Sequence, residues 1–121
     1  MERTVVLQTV LELPELIKEA KTCMDEASRE SFINYIAEQP LKGSPIVGTG
    51  GVRKIRWAAD LHSGKSGGVR VIYYYHNQQI PIFLFTVYGK NQKTSLTHAE
   101  KNTLKSIIGA IVAAYEGKHH E

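Results

Sequence analysis

Residues 50–93, GGVRKIRWAADLHSGKSGGVRVIYYYHNQQIPIFLFTVYGKNQK, restrict the architecture of this chain more than any other stretch. Three runs dominated by β-branched and aromatic residues lie inside it: Val52 to Ala58, Gly68 to His76 and Ile80 to Tyr88. Gly-rich or polar clusters separate them, the pattern of a β-meander. The same stretch concentrates positive charge. From Gly51 to Lys93, the seven bases Arg53, Lys54, Arg56, Lys65, Arg70, Lys90 and Lys93 face the single acid Asp60, a net charge of +6. The rest of the chain holds eight bases and eleven acids, a net of −3, so the overall +3 conceals a basic sheet within an acidic surround. A phosphate-rich partner and a simple solvated sheet face are both compatible with this distribution.

Around this centre the chain reads as helical. Pro14 suits the first turn of a helix, where its missing N–H costs nothing, and Leu16, Ile17, Ala20 and Met24 follow at helical spacing. Asp25 or Ser28 can cap a second helix, with Phe32, Ile33 and Ile36 on one face and Pro40 as its stop. Thr97 and Glu100 fit a capping box. The apolar stripe Leu104, Ile107, Ile108, Ile111, Val112 and Tyr115 then predicts a helix that packs its stripe on the sheet and ends at Gly117. A short strand is expected over Arg3 to Thr9, and loops over Leu41 to Gly51 and Asp60 to Gly67.

The length of 121 residues predicts one domain spanning 1–121 with a core of its own. Cys23 has no intrachain partner, which fits a reducing compartment. No apolar run approaches the roughly 20 residues of a membrane span, and the N-terminus lacks a signal-peptide pattern. The chain therefore reads as cytoplasmic, with no membrane partner.

Several chemistries find no support. Gly64-Lys65-Ser66 invites a phosphate-loop reading, but Ala59 stands where that motif needs Gly, and a strand follows instead of a helix. His62, His76 and His98 are scattered singles, so no metal site is expected. No paired carboxylates occur in the basic region. Cations and a phenol remain. Alternation puts Lys54 and Arg56 on one strand face. With Asn77-Gln78-Gln79 as a three-residue hairpin loop, Arg70 lies opposite Thr86, and Tyr88 sits one diagonal step away on the same face. A slip of one residue would send Tyr88 to the other face. Tyr88 is then either a strand-end aromatic with a wet hydroxyl or part of a site. Arg and Lys beside a tyrosine suit cleavage of a phosphodiester whose own 2′-hydroxyl is the nucleophile, a tyrosine or a lysine moving protons if cationic neighbours lower its pKa.

The segment Gly48-Thr49-Gly50-Gly51-Val52-Arg53-Lys54-Ile55-Arg56-Trp57 and the run from Gly64 to Tyr74 resemble the RelE/HigB-like toxins of bacterial type II toxin–antitoxin systems, most nearly the HigB-like branch. Leu84-Phe85-Thr86-Val87-Tyr88-Gly89-Lys90-Asn91, with Leu96-Thr97 opening a helix, is similar to the same family. The resemblance implies an α+β fold of the RelE/ParE kind: an antiparallel sheet, two N-terminal helices and a C-terminal helix. It implies a ribosome-dependent endoribonuclease that cuts mRNA in the A site without metal or organic cofactor. It implies a cognate antitoxin, HigA-like and carrying a helix-turn-helix, through which alone the chain would meet operator DNA. The implied catalytic set is Arg56, Arg70, Tyr88 and Lys90; the implied RNA- and ribosome-binding set is Arg53, Lys54, Lys65 and Lys93. A ParE-like gyrase inhibitor and a non-catalytic nucleic-acid-binding domain are the alternatives.

Overall fold

A computed structural model of the protein describes residues 7–60, 68–93 and 95–117. Among these the chain runs β1 (Val10–Glu12), α1 (Pro14–Cys23), α2 (Glu26–Glu38), β2 (Ser44–Pro45), β3 (Arg53–Trp57), β4 (Val69–Tyr74), β5 (Ile82–Gly89) and α3 (His98–Gly117). The class is α+β, as the resemblance implies. The strands form one sheet in the order β1-β5-β4-β3-β2. Its pairs are antiparallel except at one edge, where β1 runs parallel to β5 with Val10 beside Ile82. The sheet is thus mostly antiparallel, with one parallel pair at its edge.

Of the strand expected over Arg3 to Thr9, only residues 7–9 are described, and they are not strand. Residues 1–6 lie outside the described residues, and β1 begins only at Val10. The backbone before it serves other elements: the Gln8 N–H donates to the Ala37 carbonyl at the end of α2 (3.0 Å), and the Thr9 carbonyl accepts from the Ile82 N–H (2.8 Å).

The two sheet faces carry different layers. On one, Leu16 and Ala20 of α1 and Phe32 and Ile36 of α2 pack with Val69, Val71, Tyr73, Ile82, Leu84 and Val87. Each large aliphatic or aromatic side chain buried here contributes roughly 1.5–3 kcal/mol. Pro14 occupies the first turn of α1. Asp25 caps α2 by accepting the Ser28 N–H at 2.8 Å, while Ser28 itself is buried and donates to the Ala58 carbonyl at 2.9 Å. On the other face, Val52, Ile72, Tyr74, Phe83, Phe85 and Tyr88 pack with Leu96 and Ile108. Here α3 is less sunken than its stripe predicts. Ile108 is buried, Leu104, Ile111, Val112 and Tyr115 are half-buried, and Ile107 is exposed. The far end of α3 is tied to the sheet by polar contacts: Glu116 Oε1 lies 3.3 Å from His76 Nε2, and His76 Nδ1 lies 2.9 Å from the Tyr74 hydroxyl.

The Gly48-Thr49-Gly50-Gly51 segment joins β2 to β3 and leads beneath α3. Gly50 has φ +80°, and a Cβ there would come within 3.3 Å of Ile108 Cδ1. Thr49 is fully buried, its hydroxyl donating to the Ile46 carbonyl (2.7 Å) and accepting from the Val52 N–H (3.0 Å). This sequence therefore makes a turn and a packing floor.

Candidate active site

Three strands bring one row of side chains together. Arg56 of β3 stands directly opposite Arg70 of β4, and Arg70 directly opposite Tyr88 of β5. The pairing of Arg70 with Thr86 expected from the sequence is thus corrected: Thr86 faces Ile72. Two departures from the simple hairpin account for this. The connection is longer than Asn77-Gln78-Gln79, because β4 ends at Tyr74 and β5 begins at Ile82. Its polar groups are satisfied outside the ladder. Asn77 Oδ1 accepts the N–H groups of Gln79 (2.9 Å) and Ile80 (3.0 Å), and Gln8 Nε2 donates to the carbonyls of Asn77, Gln78 and Ile80. The second departure is a β-bulge. Ile72 pairs with Thr86 but Tyr73 with Leu84, leaving Phe85 as an extra residue.

The row has an unusual charge arrangement. Like charges directly opposite on neighbouring strands are destabilising, yet Arg56 and Arg70 face each other across β3 and β4. Among the described residues, Arg70 Nη1 and the Tyr88 hydroxyl are buried polar atoms without a hydrogen-bond partner. Each such group costs about 1–3 kcal/mol. One guanidinium nitrogen and a phenol hydroxyl left open beside one another, with a second guanidinium exposed at the rim, could take an anion with several acceptor oxygens, and Arg is suited to phosphate through its planar fork.

Beyond Tyr88 the chain turns back. The Gly89 carbonyl accepts from the Gln92 N–H (3.0 Å) and the Lys93 N–H (3.4 Å), and the Gly89 N–H donates to Gln92 Oε1 (2.6 Å). This turn sets Lys93 Nζ 5.3 Å from the centre of the Tyr88 ring, a cation–π distance. The same ammonium pairs with Glu100 Oε2 at 2.5 Å. Glu100 also completes the capping box: its Oε1 accepts the Thr97 N–H (2.8 Å), and Thr97 Oγ1 accepts the Glu100 N–H (3.1 Å). A cleft of about 200 Å³ opens here, lined by Thr86, Tyr88, Gln92 and Lys93 and by the carboxylates of Glu15, Glu19 and Glu100. An apolar groove of about 440 Å³ adjoins it, walled by Leu13, Phe85, Leu96, Leu104 and Ile107.

The electrostatics correct one expectation. Burial raises the Tyr88 phenol above its ordinary pKa; Lys93 and then Arg70 pull it down, Glu100 pushes it up, and the net direction is upward. The cations beside Tyr88 do not outweigh its desolvation, so the phenol holds its proton at neutral pH and can donate it.

The other sequence-derived residues are scattered around this row. Lys54 shares its strand face with Arg56, stands opposite Ile72 and is exposed. Arg53 points to the other face, where its Nη1 donates to the carbonyls of Gly43 (2.7 Å) and Leu41 (3.4 Å). Lys90 is exposed in the turn after β5. Lys65, His62 and the whole segment 61–67 lie outside the described residues. Glu100 went unnoticed in the sequence beyond its capping role. Its spacing of seven residues from Lys93 crosses a turn, where no periodicity rule applies. Among the described residues, no group of His, Cys, Asp and Glu could hold a metal ion, and no helix is long and apolar enough to cross a membrane.

The fold is that of the RelE-like α+β toxins: a mostly antiparallel sheet with two helices on one face and one on the other. A mutant of the E. coli toxin RelE, solved in the free state, matches with a TM-score of 0.52 over 72% of this chain and 87% of that one, at 16% sequence identity. No protein-family model matches the sequence.

Proposed function

We propose that the protein is the toxin of a type II toxin–antitoxin system and acts as a ribosome-dependent mRNA endoribonuclease. The observation that carries this reading is the row Arg56–Arg70–Tyr88, with two buried donors left open beside one another. The likeness in fold to a toxin solved from E. coli supports it. Cleavage needs no enzyme nucleophile: the ribose 2′-hydroxyl gives up its proton to solvent water as its oxygen attacks the adjacent phosphorus, and the bond to the 5′-oxygen breaks, leaving a 2′,3′-cyclic phosphate and a 5′-hydroxyl. Arg70, rigid within β4, receives the charge that builds on the equatorial oxygens. Arg56 and Lys54 at the exposed rim hold neighbouring phosphates. Tyr88, protonated at neutral pH, donates a hydrogen bond to the phosphate or a proton to the departing 5′-oxygen. Lys90 is exposed and would add positive charge toward ribosomal RNA, a role expected also of Lys65, which lies outside the described residues, while Lys93 stays beside Tyr88. A HigA-like antitoxin would silence the toxin by covering this surface.

A ParE-like gyrase poison would have no use for the buried Arg70–Tyr88 pair, so that reading is second. The deciding experiment expresses the protein in growing bacteria and maps the 5′ ends of cellular mRNA. Cuts in phase with translated codons are expected. DNA damage without mRNA cuts would assign the gyrase role. Neither effect would leave a nucleic-acid-binding domain.

A further inference from the structure

We propose that Glu100 is a positioning residue which, from the first turn of α3, holds Lys93 over the Tyr88 ring. The inference deepens the proposed function and rests on it wherever cleavage is the readout, but its core is a statement about the folded protein alone.

One carboxylate has two tasks here. In a capping box the Glu needs one oxygen for the backbone N–H of the cap residue. Glu100 Oε1 meets that need by accepting from Thr97. Oε2 is then free to take the Lys93 ammonium at 2.5 Å. The start of α3 and the cation at Tyr88 thus share a single group. A lysine on its flexible four-carbon stem would otherwise sample many positions. Here its backbone is brought back by the turn from Gly89, and its tip is gripped by Glu100. Leu96, buried between the two, fixes the distance from turn to helix.

The charges that face Tyr88 come from every element around it. Arg70 reaches it from β4, Lys93 from the turn, Glu100 from α3, and Glu15 and Glu19 line the same cleft from α1. A cation over the ring face stabilises the phenolate, whose ring is richer in electrons than the phenol's. The Glu100 carboxylate does the opposite by its own field. These two influences of Glu100, grip and field, have opposite signs. Their signs make the proposal testable.

The test is an NMR titration of the protein labelled with 13C at the tyrosine Cζ, with the Tyr88 signal assigned by its loss in Tyr88→Phe. Glu100→Gln retains the amide oxygen for the Thr97 N–H, so the capping box and α3 persist, as circular dichroism would verify. With Lys93 present, Glu100→Gln is expected to raise the Tyr88 midpoint by about 0.5 pH unit, the scale of one exposed cation–π contact. In a Lys93→Ala background, the same change is expected to lower it, because only the field of the carboxylate is then removed. Nuclear Overhauser contacts between Lys93 Hε and the Tyr88 ring should vanish in Glu100→Gln. If that variant loses α3, Glu100→Asp keeps the charge but falls short of Lys93, and the upward shift should appear there too. A midpoint that falls or stays put in the Lys93-containing variants overturns the proposal. Single-turnover cleavage of ribosome-bound mRNA by the wild type is measured in parallel. Its absence would overturn the proposed function and leave the positioning result standing.

Discussion

In the proposed nuclease, Arg70 and Tyr88 are the residues at which stability and function would make opposing demands. Each keeps a buried donor without a partner in the free protein. Removing a partnerless hydroxyl should relieve the fold, since the desolvation of that group goes with it. Tyr88→Phe is therefore expected to melt at the same temperature as wild type or higher, with a gain of up to about 1 kcal/mol. Cleavage should fall at least about tenfold if the hydroxyl donates in the transition state. A variant that is more stable yet slower marks a group retained for chemistry. Wild-type cleavage by Tyr88→Phe, with loss in Tyr88→Ala, would reduce Tyr88 to a stacking ring. Arg70→Ala should lose on the order of 10²-fold or more in single-turnover cleavage, the cost of one preorganised donor to a developing anion. Lys54→Ala, at the exposed rim, should weaken binding to the ribosome more than it slows the bound step. Wild-type rates in both Arg70→Ala and Tyr88→Phe would place the active site elsewhere.

Secondary-structure elements decide whether those two residues meet. In β5, strict alternation from Ile82 would put Tyr88 on the face of Ile82 and Leu84, beneath α1 and α2. The structure instead groups Phe83, Phe85 and Tyr88 on the α3 face, and Ile82, Leu84 and Val87 on the other. The extra residue Phe85 makes the switch. Reading a three-residue hairpin from the sequence still placed Arg70 and Tyr88 on one face, because the error in loop length and the unseen bulge shift the parity by one residue each and cancel. The helices, their caps and the strand cores were legible because they depend on local spacing. The bulge, the parallel pairing of β1 and the grip of Glu100 on Lys93 depend on tertiary contacts that no local pattern encodes. Glycines show the same division. Gly48 and Gly43 look alike in the sequence. An Ala at Gly48 (φ +87°) would meet its nearest neighbour, the Lys101 side chain, at 3.8 Å, whereas at Gly43 its Cβ would fall 2.6 Å from the Tyr73 hydroxyl and 3.0 Å from the Lys54 carbonyl oxygen. That hydroxyl donates to the Pro40 carbonyl and accepts the Gly43 N–H, both at 2.8 Å. Gly48→Ala should cost about 1 kcal/mol, the left-handed backbone penalty. Gly43→Ala should cost about 3 kcal/mol, overpacking combined with damage to two hydrogen bonds. Urea unfolding of the two variants checks the order, and equal losses would mean that the Tyr73 contact yields without cost.

At the scale of the whole molecule, titratable groups on the two sides of the sheet set the pH range in which the fold holds. Hydrogen bonding to Arg29 holds the Glu26 carboxyl below its ordinary pKa, and the hydrogen bond from Lys93 does the same for Glu100. A carboxylate whose pKa is lower in the folded state stabilises the fold above its unfolded pKa, and that contribution is lost as pH falls through the folded value. The acid limb of stability should therefore drop below about pH 4.5. Burial acts in the opposite sense on Tyr73, Tyr74 and Tyr88, raising all three phenols, and it also raises the Cys23 thiol. These groups keep their protons in the folded state at a pH where the unfolded chain releases them. The unfolded state then binds fewer protons, so stability falls as pH rises beyond the ordinary phenol value of about 10. Cys23 begins to contribute slightly lower, and Cys23→Ser serves as its control. Each phenol adds a slope of up to about 1.4 kcal/mol per pH unit within its window. Tyr88→Phe removes one of them without removing a hydrogen bond. Its stability, followed by urea unfolding between about pH 9 and 11.5, should thus decline less steeply than that of the wild type, while the acid limb stays where it was. Parallel alkaline limbs in the two proteins would mean that Tyr88 titrates in the folded state as it does in the unfolded chain, and the upward shift assigned to its burial would be overturned.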